Sequence, residues 1–269
     1  VLKGSGFGQA TKALKGLDGE FKQVAKSAAF AAINFAAAGS IQKLTAYMDE
    51  AVTVTQRYER NILALNQTFA EQSGQMRAFT QDAVSMGISQ SQAAQASVFL
   101  GSVLKQYGLE TSVTATETKK LISLSQDLAT TYGYDLQEAL LAMTALFRGE
   151  YDPIEKFGVA MKQNEINADL AAKGLSHLTG AELANAQATS RLDLLMERAG
   201  DSIGAFSRAS DTLYGSQQRL NAVMGNLQVS FGSAFQGPLA AVNNALANVA
   251  QNGGEQLIDV GQALSGVIE

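Results

Sequence analysis

The sequence contains no cysteine, no tryptophan, one histidine and two prolines among its 269 residues. Without cysteine, disulfides and thiolate metal sites are excluded. The only prolines are Pro153 and Pro238, so few positions prevent a helix from continuing. Aromatic residues make up 7% of a chain that is 46% hydrophobic, so alanine supplies much of the apolar content. Because small side chains favour closely packed helices, we predict an all-α fold.

Histidine-dependent chemistry would have to use His177, the single histidine. The residues around it, from 175 to 180, supply no nucleophile in a recognisable setting, so we predict that the chain is not an enzyme. We also expect no cofactor and no metal site. The net charge is -5, and lysine and arginine form no cluster that would neutralise phosphates. We therefore expect no sequence-specific binding of nucleic acid.

Changes in composition along the chain predict four regions. Residues 1–29 are rich in glycine, alanine and lysine and are expected to be flexible. Residues 30–79 are predicted to form one long helix, residues 80–200 a compact bundle of short helices, and residues 201–269 long C-terminal helices, the last of them beginning at Pro238. Because the first residue is valine and no signal sequence follows it, we interpret the chain as part of a longer polypeptide.

The predicted long helix carries a heptad repeat from Phe30 to Phe79, with spacings of four and three residues in alternation. Such regularity is typical of coiled coils, and we interpret the repeat as the seam of a parallel homo-oligomer. The alternative is an amphipathic helix that packs within its own domain. Val52 and Val54 widen the apolar face, which favours more than two strands. The candidate seam residues are Ile41, Leu44, Met48, Tyr58, Ile62, Leu65 and Phe69, and the repeat also includes Ala51 and Thr55.

The segment 149–158, Gly-Glu-Tyr-Asp-Pro-Ile-Glu-Lys-Phe-Gly, combines signals that end one helix and begin the next. Gly149 is placed to end a helix in the left-handed conformation. Asp152 is predicted to cap the following helix, with Pro153 at its first position. Phe157 flanks this short helix, and Gly158 ends it. We interpret these five residues as a structural pivot between helices.

The pivot and the stretches around it resemble the tape measure proteins of long-tailed phages. That family often has a glycine, an acidic or aromatic pair, a proline and then Lys-Phe-Gly, which is the order of residues 149–158. The similarity extends in the family's order through residues 76–107, 121–146, 192–197, 204–213 and 217–220. The chain departs from a pure ruler because its frequent glycines interrupt any single long helix, so the resemblance is to a folded region of the family.

The resemblance implies a structural virion protein in the tail lumen, where the length of the parent polypeptide sets the length of the tail. It implies several copies, and among oligomers it favours a trimer. The family is expelled before the DNA, which implies contacts with tail tube proteins, distal tail proteins and tail assembly chaperones. Transient contact with the host membrane and cell envelope during infection is also expected. Family members often carry separate peptidoglycan-cleaving domains, and no matching motif is present here.

Two other functions remain open from the sequence alone. A helical interaction module of a secreted or receptor-like protein would share the alanine-rich heptads without the ordered pivot motifs. A non-catalytic part of a tail-associated cell-wall hydrolase would share the tail location. Asp152 and Glu155 could be taken for the paired carboxylates of such a hydrolase, but in the predicted pivot each has a capping role.

Overall fold

A computed structural model describes the backbone of residues 41–252 and the side chains of residues 50–234, and every regular element in that part of the chain is helical. The predicted all-α fold is confirmed. The α-helices in chain order are α1 (Ile41–Phe69), α2 (Ser73–Asp82), α3 (Gln90–Gln106), α4 (Thr111–Tyr132), α5 (Leu136–Arg148), α6 (Asp152–Glu155), α7 (Gln163–Ala172), α8 (Gly180–Arg198), α9 (Ala205–Ala209) and α10 (Leu213–Asn252). The predicted flexible segment, residues 1–29, lies outside the described residues.

The chain divides into two compact units, one of residues 58–225 and one of residues 1–57 together with 226–269. The larger unit has a hydrophobic core to which α3, α4 and α5 contribute most. Its largest fully buried side chains recur at helical spacing, which places one face of each helix in the core; they include Leu100, Leu104, Leu121, Ile122, Leu128 and Phe147. The short helix α6 adds Ile154, and Phe157 is buried directly after it.

Helix α1 ends ten residues earlier than the sequence predicted. A continuous helix was expected from residue 30 to 79, but α1 stops at Phe69, and a 3-10 turn of residues Ala70–Gln72 precedes α2. Ala70 has a φ of 44°, which breaks the helical path. The reason is tertiary: Phe69 is fully buried in a cluster with Leu65, Met76 and Ala115, and its position is fixed by the packing of these side chains.

Helix α10 is one element where the sequence predicted two. We expected a separate helix from Pro238, but the described backbone is helical without interruption from Leu213 to Asn252. Proline lacks the amide hydrogen, so the helix passes Pro238 with one backbone hydrogen bond fewer. The side chains beyond residue 234 are outside the described part of the chain.

In the smaller unit, α1 and α10 lie antiparallel, with Ala51 opposite Gly232 and Thr55 opposite Val229. The Thr55 hydroxyl donates a hydrogen bond to the Val229 carbonyl at 3.0 Å. A Cβ on Gly232 would lie 2.8 Å from the carbonyl carbon of Ala51, so only glycine permits this approach of the two backbones. Ala51 and Thr55 belong to the heptad repeat, so this part of the repeat packs against a helix of the same chain.

Candidate functional site

The pivot joins α5 to α6 through a glycine in the left-handed conformation. Gly149 has a φ of 88°, and its amide donates to the Leu146 carbonyl at 3.0 Å. The next amide, that of Glu150, donates to the Ala145 carbonyl at 2.9 Å, which satisfies the last free carbonyls of α5. Phe157 is fully buried, and Gly158 follows it with a φ of 72°.

Asp152 does not cap α6 as the sequence predicted. The residue before the helix is Tyr151, which makes no capping hydrogen bond through its side chain. Because Tyr151 already has a right-handed backbone, with φ of -89° and ψ of -28°, the helix starts at Asp152 and Pro153 occupies its second position. The carboxylates of Asp152 and Glu155 both lie in the first turn, where the helix dipole favours negative charge.

The pivot is held in place by Arg191 of α8, whose side chain is buried with 5% of its surface exposed. Its Nη1 donates to the Phe147 carbonyl at 3.2 Å, its Nε to the Tyr151 hydroxyl at 3.3 Å and its Nη2 to Gln163 Oε1 at 3.3 Å. The Tyr151 hydroxyl in turn donates to Gln163 Oε1 at 2.6 Å. We call Phe147, Tyr151, Gln163 and Arg191 the arginine lock, because these residues join α5, α7 and α8 at the pivot.

The arginine lock places a positive charge in the interior without an acidic partner. Among the described residues, no carboxylate lies within ion-pair distance of the Arg191 guanidinium. The charge is instead surrounded by oxygen acceptors, of which the Phe147 carbonyl belongs to the last turn of α5. That end of a helix carries partial negative charge. The C-terminus of α5 therefore compensates part of the cost of burying the cation.

Sequence reasoning missed Arg191, although a signal was present. The residue lies three positions after Ala188 and four before Leu195, and both of these are buried. An arginine at that spacing falls on the apolar stripe of its helix. A single arginine on such a stripe indicates a buried hydrogen-bonding role, but its acceptors, 28 to 44 residues away, cannot be found by local pattern.

Two groups of ion pairs clamp α7 against α8. Arg198 binds both carboxylate oxygens of Glu165, at 2.7 Å and 3.2 Å, and also donates to the Ala160 carbonyl. The bond from Arg198 holds the pKa of the Glu165 carboxyl below its ordinary value. Lys173 lies 2.8 Å from Asp169 and 2.9 Å from Asp193, and its hydrogen bond lowers the pKa of Asp169.

A groove of about 790 Å³ lies beside the turn between α7 and α8. Its lining combines apolar and polar side chains; it consists of Gly108, Leu170, Lys173, Leu175, His177, Leu178, Ala181, Glu182, Asn185, Ala186 and Thr189. His177 is exposed, and its Nδ1 lies 3.1 Å from the Gly174 carbonyl. Within the described part of the chain, the histidine ring thus bonds to the backbone of its own turn, and no side chain orients it for proton transfer.

A buried carboxylate, that of Asp127, has a structural role. Both oxygens of Asp127 accept backbone hydrogen bonds, from Gly204 at 2.8 Å and from Phe206 at 2.9 Å. The ring of Phe206 packs over Gly87, where a Cβ would lie 2.6 Å from it. These contacts fasten the short helix α9 to α4 through the Asp127 carboxylate.

The candidate seam residues fall into three groups. Leu65 and Phe69 are fully buried by residues of the same chain, so intramolecular packing occupies these two positions. Tyr58 and Ile62 are half-buried, and burial raises the pKa of the Tyr58 phenol. The side chains of Ile41, Leu44 and Met48 lie outside the described part of the structure. Any oligomer seam on α1 therefore has to be formed without Leu65 and Phe69.

The described residues carry no group of three or more histidines and carboxylates placed to hold a metal ion. Across residues 41–252, no helix combines the length and the apolar character that crossing a membrane requires. Comparison with known proteins identified no relative: the chain matches no family model, no curated protein and no solved structure.

Proposed function

We propose that the chain is a folded helical segment of a phage tail tape measure protein, a structural virion component that sets tail length and is expelled before the DNA. The observation that supports this most is the position of the motif on which the resemblance depends. Residues 149–158 connect α5 to α7, and their Ile154 and Phe157 are fully buried in the hydrophobic core of the larger unit. A motif with this packing role suits a structural protein.

The long helices support the same function. Helix α1 has 29 residues and α10 has 40, which correspond to about 44 Å and 60 Å at about 1.5 Å per residue. Both exceed the usual helix length of globular proteins, which is roughly 10–14 residues. Long helices of this kind are suited to a ruler, because each residue adds a fixed increment of length.

The proposed role is non-catalytic. The groove beside His177 offers a histidine that bonds to its own turn, and Asp127 is engaged in two backbone hydrogen bonds. The proposed location is the tail lumen, with a homotrimer in contact with tail tube proteins, distal tail proteins and tail assembly chaperones. In the same proposal, the protein contacts the host membrane and cell envelope when it is expelled from the tail.

Tail length tests this proposal directly. Four extra heptads, 28 residues, inserted into the parent gene after Asn252 should lengthen the tail by about 42 Å if they extend a helix at about 1.5 Å per residue. A matched control carries a flexible Gly-Ser segment of the same length in the turn at Ser176, where it can form a surface loop. Electron micrographs should show longer tails for the heptad insertion only. Tails of unchanged length, together with absence of the chain from purified virions, would refute the proposal.

A helical interaction module is the second candidate, and one observation favours it. The first turns of α10 expose apolar side chains on one face: Leu213 is 87% exposed, and Leu220, seven residues later, is 54% exposed. Val223 and Met224, three and four residues after Leu220, are exposed as well. An exposed apolar stripe is typical of a surface that binds another helix. A chain that is absent from virions but captures a defined helical partner through this stripe would favour the second candidate.

A further inference from the structure

Helix α1 stops at Phe69 without the residues that usually stop a helix. The sequence from residue 66 to 73, Asn-Gln-Thr-Phe-Ala-Glu-Gln-Ser, contains neither glycine nor proline. Neither Phe69 nor Gln72 forms a capping hydrogen bond through its side chain. The residue at the break is Ala70, with a φ of 44°. Alanine is the best helix former and, unlike glycine, is disfavoured in the left-handed region.

Ala70 is the one non-glycine residue with a positive φ in the described part of the chain. Phe69 has φ and ψ of -106° and -7°, Gln72 has -84° and 0°, and Ser73 has -60° and -34°, all within or close to the right-handed helical region. Rotation of Ala70 from φ 44° to the helical value near -60°, together with a helical backbone at Glu71, would therefore join α1 and α2 into one helix. The heptad spacing continues across the break, from Leu65 and Phe69 to Met76 and Phe79.

Tertiary contacts hold the broken form in place. The Phe69 ring occupies the space that a side chain at position 101 would need: a Cβ on Gly101 would lie 3.0 Å from Phe69 Cε1 and 3.1 Å from Cε2. Leu65, Phe69, Met76 and Ala115 are all fully buried. Burial of these side chains outweighs the local preference of residues 66–73 for an uninterrupted helix.

We propose that residues 58–82 form a two-state element, broken at Ala70 while Phe69 is seated on Gly101 and a continuous helix once Phe69 is released. The continuous helix would span about 37 Å at about 1.5 Å per residue. It would place Leu65, Phe69, Met76 and Phe79 on a single apolar stripe, which is the surface that a second copy of the chain would cover. This inference is independent of the proposed function.

Spin labels on the complete chain can distinguish the two states, because the protein has no cysteine of its own. Labels attached through Leu63→Cys and Gln81→Cys, both exposed positions, are 18 residues apart. In a continuous helix that separation is five turns, with both labels on one face and about 27 Å apart. The labelled chain without a further substitution should give a single distance between the labels, that of the broken form. Gly101→Leu, which displaces Phe69, should add a population at about 27 Å.

Two further substitutions test the role of Ala70. Ala70→Gly, added to Gly101→Leu, favours the left-handed conformation and disfavours the helix, so it should lower the ratio of continuous to broken form about fivefold or more. Gly74→Ala is the matched control: position 74 is helical in both states and nothing lies within 4 Å of its Cβ, so the ratio should stay within about twofold. Retained helix content without a population near 27 Å in Gly101→Leu would overturn the proposal.

A second measurement decides the matter if Gly101→Leu does not fold. In the otherwise unaltered chain, Ala70→Gly should raise the urea concentration at the unfolding midpoint, because glycine relieves the left-handed alanine of the broken form. A lower midpoint would show that Ala70 is not held in that conformation, and the two-state element would have to be abandoned.

Discussion

The guanidinium of Arg191 donates a hydrogen bond to the carbonyl oxygen of Phe147, 3.2 Å away and 44 residues earlier in the chain. This contact brings a buried cation to the C-terminal end of α5, two residues before the left-handed Gly149. The same guanidinium reaches Tyr151 within the pivot and Gln163 at the start of α7. The path of the chain around the pivot therefore depends on a side chain that lies outside the pivot motif.

Arg191→Met should destabilise the larger unit by about 2–4 kcal/mol, because three acceptors lose a charged donor in a buried site. The unfolding free energy from urea titration measures the effect. Arg148→Met is the matched control, since Arg148 is exposed on the last turn of α5 and should change stability by no more than about 0.5 kcal/mol. Equal effects of the two substitutions would mean that the arginine lock contributes little.

Gly149→Ala should lower the unfolding free energy by about 1–2 kcal/mol through backbone conformation alone. The space for a methyl group is present, since a Cβ at this position lies 3.5 Å from Arg191 Nη2, an ordinary contact. Gly74→Ala provides the contrast, because Gly74 lies in α2 with open space around it. This substitution should raise the unfolding free energy by about 0.5–1 kcal/mol. Equal changes in unfolding free energy for Gly149→Ala and Gly74→Ala would contradict this expectation.

Acid should weaken the clamp between α7 and α8. The pKa of Glu165 is held below its ordinary value of 4.5 by Arg198, so the stabilisation is complete above that value and is lost as the pH falls through the lower, folded pKa. The pKa of Asp169 is lowered in the same direction from 3.8 by Lys173. The urea midpoint should therefore decrease between about pH 5 and pH 3. Glu165→Gln and Arg198→Gln should each make the urea midpoint less dependent on pH. If the midpoint falls as steeply in both variants as in the parent, the Glu165–Arg198 pair is not the source of the decrease.

Gly232→Ala should loosen the smaller unit, because the new Cβ would overlap the backbone of Ala51 on α1. Amide hydrogen exchange across residues 226–234 and 50–57 should become faster by about tenfold, corresponding to about 1.4 kcal/mol. Thr55→Val is a milder companion that keeps the shape and removes the hydrogen bond to Val229, at a cost of about 0.5–1.5 kcal/mol. Unchanged exchange in Gly232→Ala would contradict the close approach of α1 and α10.

The complete chain should self-associate through the N-terminal part of α1, and we predict a trimer by sedimentation equilibrium. Leu44→Ser combined with Met48→Ser should dissociate it, because each seam position buries an apolar side chain worth about 1.5–3 kcal/mol. Leu63→Ser is the control, since Leu63 is 63% exposed and lies outside the heptad seam. A parent chain that remains monomeric at high micromolar concentration would remove the seam and leave α1 as a helix that packs only within its own chain.

Several features of the protein follow from local sequence. The helical class comes from abundant small and unbranched residues and from the scarcity of proline. The left-handed backbone at Gly149 and Gly158 follows from the conformational freedom of glycine at predicted helix ends. Asp135 illustrates a local signal of the same kind, since its carboxylate caps α5 by accepting from the Glu138 amide at 2.7 Å.

Other features were decided only by tertiary structure. The sequence around Ala70 favours a continuous helix, and the break appears because Phe69 packs on Gly101, 32 positions later in the chain. Arg191 is buried where α5, the pivot and α7 bring three acceptors to it, and Thr55 finds its acceptor 174 residues away in α10. Periodicity and capping describe interactions within a few residues, and none of these contacts is local. A heptad repeat shows that a helix face must be buried; which surface covers it depends on the packing of the whole chain.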